Sequence, residues 1–202
     1  KVKAYEIGFK SDFFDRKARL NVSAFINDYS SIQQQNQAGG VFTTLNYSAK
    51  HKGIEAELNV RPVHGLTLWA NGVYNDGVYG DAVGIENAAY AGNDMINVFK
   101  YQATIGADLD LPLGNGNFIM GANYNMRADY FSTIDNNAMG HVPSTQLLAA
   151  YIGYEINDWS LRLSGKNLTN EIYYTTGFGF DHVNPRMMAD PRTWRLSLSK
   201  KF

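Results

Sequence analysis

Three observations predict an all-β chain of antiparallel up-and-down strands, about nine of them, forming part of a larger transmembrane β-barrel. Apolar and polar residues alternate with period two in segment after segment, charges recur on the polar side, and short connections take turns with long ones. The closing stretch RTWRLSLSKKF shows the alternation plainly: Trp194, Leu196, Leu198 and Phe202 alternate with Arg195, Ser197, Ser199 and Lys201. Successive side chains of a strand point to opposite faces, so this segment has one oily and one wet side.

Composition narrows the class. Of 202 residues 45% are hydrophobic, yet no segment approaches the ~20 consecutive apolar residues of a spanning helix. The 13 Tyr, 11 Phe and 19 Gly favour pleated strands joined by turns. A net charge of -1 without a basic stripe argues against nucleic acid as a partner, and the absence of cysteine removes disulfides, thiolate metal sites and thiol nucleophiles.

Alternation and breaker clusters mark nine strands. The first runs from Val2 to Phe13 and ends at Phe14-Asp15-Arg16; the second is Lys17 to Ile32. The third, Leu45 to Arg61, sets Ile54, Ala56, Leu58 and Val60 against Gly53, Glu55, Glu57, Asn59 and Arg61, and Pro62-Val63-His64-Gly65 turns it into the fourth, Leu66 to Asn75. The fifth, Val98 to Leu111, places Phe99, Tyr101, Ala103, Ile105, Ala107, Leu109 and Leu111 opposite Lys100, Gln102, Thr104, Gly106, Asp108 and Asp110. After Pro112 to Gly116 comes the sixth, Asn117 to Phe131, with Phe118, Met120, Ala122, Tyr124, Met126, Ala128 and Tyr130 on one face and Asn117, Gly121, Asn123, Asn125, Arg127 and Asp129 on the other. Ser144 to Ile156 and Trp159 to Asn170 flank Asn157-Asp158, and Arg192 to Phe202 closes the chain.

The segments near 33 to 44, 76 to 97, 132 to 143 and 171 to 191 are the long connections, all on one side of the meander. A small soluble barrel fills its interior with apolar side chains, whereas here the enclosed face is charged, as in a wide membrane barrel. Single-chain bacterial barrels have an even strand count, so nine strands are expected to be the carboxyl-terminal part of a larger one. Residues 1–202 read as a single barrel region with no internal boundary.

Four stretches then carry a family likeness: YEIGFKSDFF (Tyr5 to Phe14) with RLNVSAFINDY (Arg19 to Tyr29), GIEAELNVRP (Gly53 to Pro62), KNLTNEIY (Lys166 to Tyr173), and PRTWRLSLSKKF (Pro191 to Phe202). In this order they resemble the carboxyl-terminal barrel strands of a TonB-dependent outer-membrane receptor. The resemblance implies a 22-stranded barrel, a plug and a TonB box, neither of the last two in this chain. It also implies energised uptake of a scarce nutrient such as a ferric siderophore, haem, cobalamin or a glycan. The implied partners are outer-membrane lipid, a small-molecule or metal-chelate ligand, TonB through the plug, and the barrel-assembly machinery. Leu196, Leu198 and Phe202 resemble the strand signal that machinery reads; an ordinary edge strand ending in an aromatic is the alternative.

Ligand contact is expected in the loop from Thr175 to Arg192, where Phe178, Phe180, His182 and Arg186 offer stacking faces and a guanidinium, and second around Tyr79 and Tyr90. Arg127 and Trp69 are lumen candidates. The four histidines show no ligand spacing, so neither a metal site nor a cofactor is expected. Glu55 and Glu57 lie about 6–7 Å apart on one strand face, within glycosidase range, but with Lys50 and Arg61 nearby they read as an ion-pair ladder. The competing readings are an outer-membrane barrel enzyme or adhesin, for which the candidates Ser132, Asp135, His141 and His182 form no recognisable motif, and a soluble sugar-binding β-sandwich.

Overall fold

The computed structural model describes residues 1–38, 41–84, 89–177 and 185–201, with side chains placed for all of these except 36–38 and 41–43. Nine long strands form one antiparallel sheet: β1 (Val2–Phe13), β2 (Ala18–Ala38), β3 (Val41–Val60), β4 (Leu66–Ala82), β5 (Tyr101–Leu113), β6 (Gly116–Arg127), β9 (Thr145–Ile156), β10 (Trp159–Lys166) and β13 (Thr193–Lys200). Two small hairpins lie in its connections, β7 (Tyr130–Phe131) with β8 (His141–Val142) and β11 (Tyr174–Gly177) with β12 (Arg186–Met188). Each long strand pairs with its neighbours in the meander, as expected of an up-and-down barrel wall.

Register aligns the apolar face into continuous rows. Ile7, Ala24, Ile54, Tyr74 and Tyr101 are successive cross-strand neighbours. Farther along the sheet so are Leu66, Leu109, Met120, Ile152, Leu163 and Leu196. These side chains have no protein above them: Ile7 is 77% exposed and Leu196 69%. Large apolar surface left bare on a whole sheet face is what lipid covers. Rings frame the band, Tyr5, Tyr74, Tyr101 and Trp194 towards the long connections and Phe13, Trp159 and Tyr154 towards the short ones. A soluble sandwich must bury this stripe, and here it is bare from strand to strand, so that reading does not describe the chain.

Several expected boundaries move, each for a local reason. The stretch 33 to 44 is not a long loop, because β2 and β3 stay paired up to Ala38 opposite Val41. Above the lipid both faces of a ribbon can be wet, so Gln33-Gln34-Gln35 loses the period-two signal while keeping its backbone hydrogen bonds. β4 likewise continues to Ala82. The eighth expected strand stops at Lys166, since Asn167 and Asn170 take φ of 50° and 56°, and Asn167 bonds to both the amide and the carbonyl of Glu171. The sixth ends at Arg127. Ala128 and Tyr130, expected on the lipid side, are 4% and 8% exposed because the chain leaves the sheet after Arg127 for the β7–β8 hairpin, where Tyr130 packs on Phe99 and donates to Thr175 O.

Candidate functional site

The polar face is built from the strand positions between the lipid-facing ones. Its rows carry side-chain hydrogen bonds: Asn21 Nδ2 donates to Glu57 Oε2 at 3.0 Å, Asn125 Nδ2 to Thr104 Oγ1 at 2.8 Å, and Arg19 grips Asp12 with two bonds of 2.7 and 3.1 Å. The expected ladder of Glu55, Glu57, Lys50 and Arg61 does not form. Lys50 is on the opposite face, paired with Asp28 at 3.7 Å, and among the described residues Glu55, Glu57 and Arg61 make no ion pair. An even-numbered position of this strand cannot meet an odd-numbered one across the sheet.

Asp108 is the centre of the middle of this face. Trp69 Nε1 donates to its Oδ2 and the Tyr151 hydroxyl to its Oδ1, both at 2.7 Å, and the Arg162 guanidinium lies 3.6 Å from the centre of the Tyr151 ring. Glycine makes this possible. Trp69 is directly opposite Gly106, and Tyr151 directly opposite Gly121, so each ring lies across a residue without a side chain. A Cβ at Gly121 would stand 2.6 Å from Tyr151 Cε1, and one at Gly106 would enter the Trp69 ring. Phe25 repeats the device over Gly53. Toward the short turns the face opens into a cavity of about 690 Å³ lined by Lys10, Arg16, Arg19, Arg61, Glu57 and Trp69. Lys10, Arg16 and Arg61 have no ion-pair partner among the described residues.

At the other end the same face turns apolar. Tyr47, Ala49, Tyr79 and Ala82 are buried with Ile134 against Tyr90, Met95 and Ile96. Bulges in β2 after Tyr29 and in β4 after Tyr79 bend both neighbours of β3 there. The segment after residue 89 folds back along β4: Tyr79 N bonds Asn93 O, Met95 N bonds Gly77 O, and Val78 bridges Asp94. It thereby supplies partners to the part of β4 that rises past the start of β5. The next connection is tied on by Asn93 Nδ2 to Ile134 O and by mutual bonds between Asp94 and Asn136. The last is tied on by the Tyr130 hydroxyl to Thr175 O and by Ser132 Oγ to Gly177 O. Three connections form one bonded rim.

The expected site residues are distributed over these regions. Trp69 is on the polar face, as expected. Arg127 stands at its upper end, donating to Pro143 O at 3.3 Å, with its guanidinium 4.7 Å from the Tyr130 ring centre. Tyr79 corrects the expectation of an available ring: it is 2% exposed, its hydroxyl accepts from Ile96 N, and burial pushes that hydroxyl's pKa up. Tyr90 is half-buried against Tyr47, ring centres 6.2 Å apart. Arg186 lies 5.2 Å from the Tyr174 ring centre in the last connection. Leu196 and Leu198 face lipid. Phe178, Phe180, His182 and Phe202 lie outside the described residues.

Asp108, Tyr151 and Arg162 were missed by sequence reasoning; the available signal was an aspartate on the wet face with glycines at the same level of the neighbouring strands. Ser132 and His141 do not come together as nucleophile and base. The Ser132 hydroxyl donates to the carbonyls of Gly140 and Gly177, Asp135 holds Asn137, and His141 pairs with Asp129 at 2.8 Å.

Residues 1–168 match the family model described as TonB dependent receptor-like, beta-barrel. The chain belongs to the TonB-dependent receptors. It is 29% identical over 156 residues to the ferrichrome receptor FcuA of Yersinia enterocolitica, covering 76% of this chain and 20% of that protein. It is 25% identical over 211 residues to the ferric-pyoverdine M114 receptor PbuA of Pseudomonas sp. (strain M114), covering 98% and 24%. Its fold is similar to that of the ferric yersiniabactin uptake receptor FyuA from Yersinia pestis, with a TM-score of 0.85 at 17% identity over 100% of this chain and 30% of that one. The chain therefore spans about a fifth to a quarter of its curated relatives, and as a member of this family it is an outer-membrane barrel segment.

Proposed function

We propose that this chain is the carboxyl-terminal wall of a receptor for TonB-dependent uptake of a ferric siderophore. The plug, the TonB box and the remaining strands are supplied by the rest of the protein. The observation that carries the reading is the polar face itself: Lys10, Arg61 and Arg127 stand along it without carboxylate partners among the described residues, a lining suited to anionic chelates. The curated relatives are named for ferric chelates, ferrichrome and ferric pyoverdine, which favours iron over the haem, cobalamin and glycan classes. At the rim Arg186, Arg127 and Tyr90 are the contact candidates, with Phe178, Phe180 and His182 just before Arg186 in the chain. This segment carries no catalytic step, and assembly reads its last strand.

The test is uptake of radioactive iron by an iron-starved strain lacking the full-length protein, supplied in turn with ferrichrome, ferric pyoverdine and ferric yersiniabactin. Uptake of one chelate should fall and return only with the gene and a functional TonB. Unchanged uptake of every ferric chelate, with loss of haem, cobalamin or glycan uptake instead, overturns the iron assignment.

A further inference from the structure

The wet face is not electrically uniform. At its short-turn end the cavity of about 690 Å³ gathers Lys10 from β1, Arg16 from the turn after it, Arg19 from β2 and Arg61 from just past β3. Arg19 is neutralised by its two bonds to Asp12. Lys10, Arg16 and Arg61 are exposed and have no ion-pair partner among the described residues, while the carboxylate on the cavity wall, Glu57, is held by Asn21. Arg16 reaches this wall through an uncommon turn: Phe14, Asp15 and Arg16 take successive φ of 53°, 54° and 65°, the left-handed region that residues other than glycine rarely adopt.

The basin continues toward the turns. The Arg61 amide donates to Lys17 O at 2.7 Å, which ties the turn after β1 to the end of β3, and a second cavity of about 520 Å³ shares Arg61 and adds Lys17 and His64, with Asp110 of β5 on its wall. Unpaired cations in a cleft with low-dielectric walls raise the local concentration of anions. The three are spread over two strand spacings, about 10 Å. A single carboxylate cannot meet all of them, whereas a ligand bearing several anionic groups can, and the guanidinium forks of Arg16 and Arg61 suit paired oxygens. The volume lies in the range of small-molecule sites, and the Trp69 ring with the amides of Asn59 and Asn71 lines the same cavity.

We infer that this basin is an exit-side site for a polyanionic ferric chelate, one carrying two or more negative groups, and that the receptor's cargo is of that class and not a neutral chelate. The inference rests on the ferric-siderophore reading above and names its substrate class. The short turns of bacterial outer-membrane barrels face the periplasm, so the basin stands where cargo leaves and not where it is first met. Exposed cations beside a hydrated bore hold an anion firmly enough to draw it down and loosely enough to release it.

The experiment uses the full-length receptor in the iron-starved strain that lacks it, with ferric citrate, a small polyanion, added to neutral ferrichrome, ferric pyoverdine and ferric yersiniabactin. Binding to de-energised cells and uptake by energised cells are measured separately. The triple variant Lys10→Gln/Arg16→Gln/Arg61→Gln should lower the maximal uptake of an anionic chelate about tenfold and leave its binding to de-energised cells unchanged. Arg61→Lys, which keeps the charge, should retain most of the uptake, and Lys50→Gln on the opposite face should alter neither measurement. Heat-dependent gel mobility confirms that each variant is folded, and the single variants serve if the triple one is not. Transport of ferrichrome or another chelate without net negative charge, and of no anionic one, overturns the inference and leaves the iron assignment standing; transport of no ferric chelate overturns both. Uptake indifferent to the triple variant, or binding that falls as far as uptake, also overturns the site. Entry of vancomycin through the triple variant without cargo overturns it too, and assigns the cations to carboxylates of the plug.

Discussion

The lipid band and the long-connection rim of the same sheet follow opposite rules. In the band the apolar side chains point out and remain bare, while the inward face carries Asn21, Asn71, Thr104 and Asn125 in one row. At the rim, Tyr47 and Tyr79 occupy positions that continue the inward face, and they are 1% and 2% exposed beneath the folded-back connections. One sheet thus changes which face is apolar along its length. In lipid the oily side must face outward; above it water surrounds the wall, and the hydrophobic effect gathers apolar groups inward instead.

The largest effect should come from the rim. Tyr79→Ala removes a fully buried ring and should cost about 3–5 kcal/mol locally. It should be read as faster amide exchange at Gly77, Asn93 and Met95 and as protease cleavage within 89–97, with band amides unchanged. If the whole barrel loosens together, rim and band are one cooperative unit and the contrast fails.

Next comes a pair of adjacent substitutions in β6. Ala122→Arg puts a guanidinium in the middle of the lipid band and should destabilise the barrel by ~2–4 kcal/mol. Asn123→Arg, one residue on, faces the wet side and should cost far less. Urea unfolding of the full-length protein in vesicles compares them, and equal costs would mean that the two faces have been misassigned.

These same two rules explain what could be read from sequence. Phe118, Met120 and Tyr124 alternate with Gly121 and Asn123 because one side meets lipid and the other water, so the strand was legible and its face correct. Gln33 to Gln35 and Val78 to Ala82 lie where that contrast has ended, so their strands were read as loops. The Asn167 turn was hidden for a different reason. Leu168 already falls on the wet-face parity of Arg162 and Ser164, but one displaced leucine does not announce the positive φ of Asn167 and Asn170 that makes the turn. At the site, Trp69 and Arg127 could be placed on the wet face by counting. The Asp108 cluster could not, because it depends on which glycine each aromatic ring faces across the sheet, and register is fixed by pairings no single segment encodes.

Asp108→Ala tests that cluster and ranks third. It leaves the Trp69 N–H and the Tyr151 hydroxyl without their acceptor, a loss of about 1–3 kcal/mol when such groups are dry and less beside a hydrated lumen. Asp108→Asn keeps an acceptor oxygen and should lose less. Tryptophan emission of Trp69, read as the difference between the full-length protein and its Trp69→Phe variant, should shift to the red for the alanine variant alone. An unshifted spectrum would mean that Gly106 by itself fixes the ring.

The smallest effect lies at the boundary between the regions. Asp76, above the apolar band, accepts a hydrogen bond from Lys100 and lies beside Lys52, and these contacts hold its carboxyl below the ordinary value of 3.8. A carboxyl lowered on folding favours the folded arrangement at every pH above its ordinary range, and that contribution fades as pH falls through the lowered value. Lys100 also holds Asp94 at 3.0 Å and its carbonyl accepts from Asn75 N, so this cluster anchors the base of the folded-back connection. Exchange at Met95, measured relative to band amides, should therefore be flat from neutral pH to about pH 4 and rise only in stronger acid. Asp76→Asn should remove the acid step and leave a small constant increase in its place. An acid step of the same size in that variant would remove Asp76 from the anchor and place the rim's attachment on the connection and not on the strand.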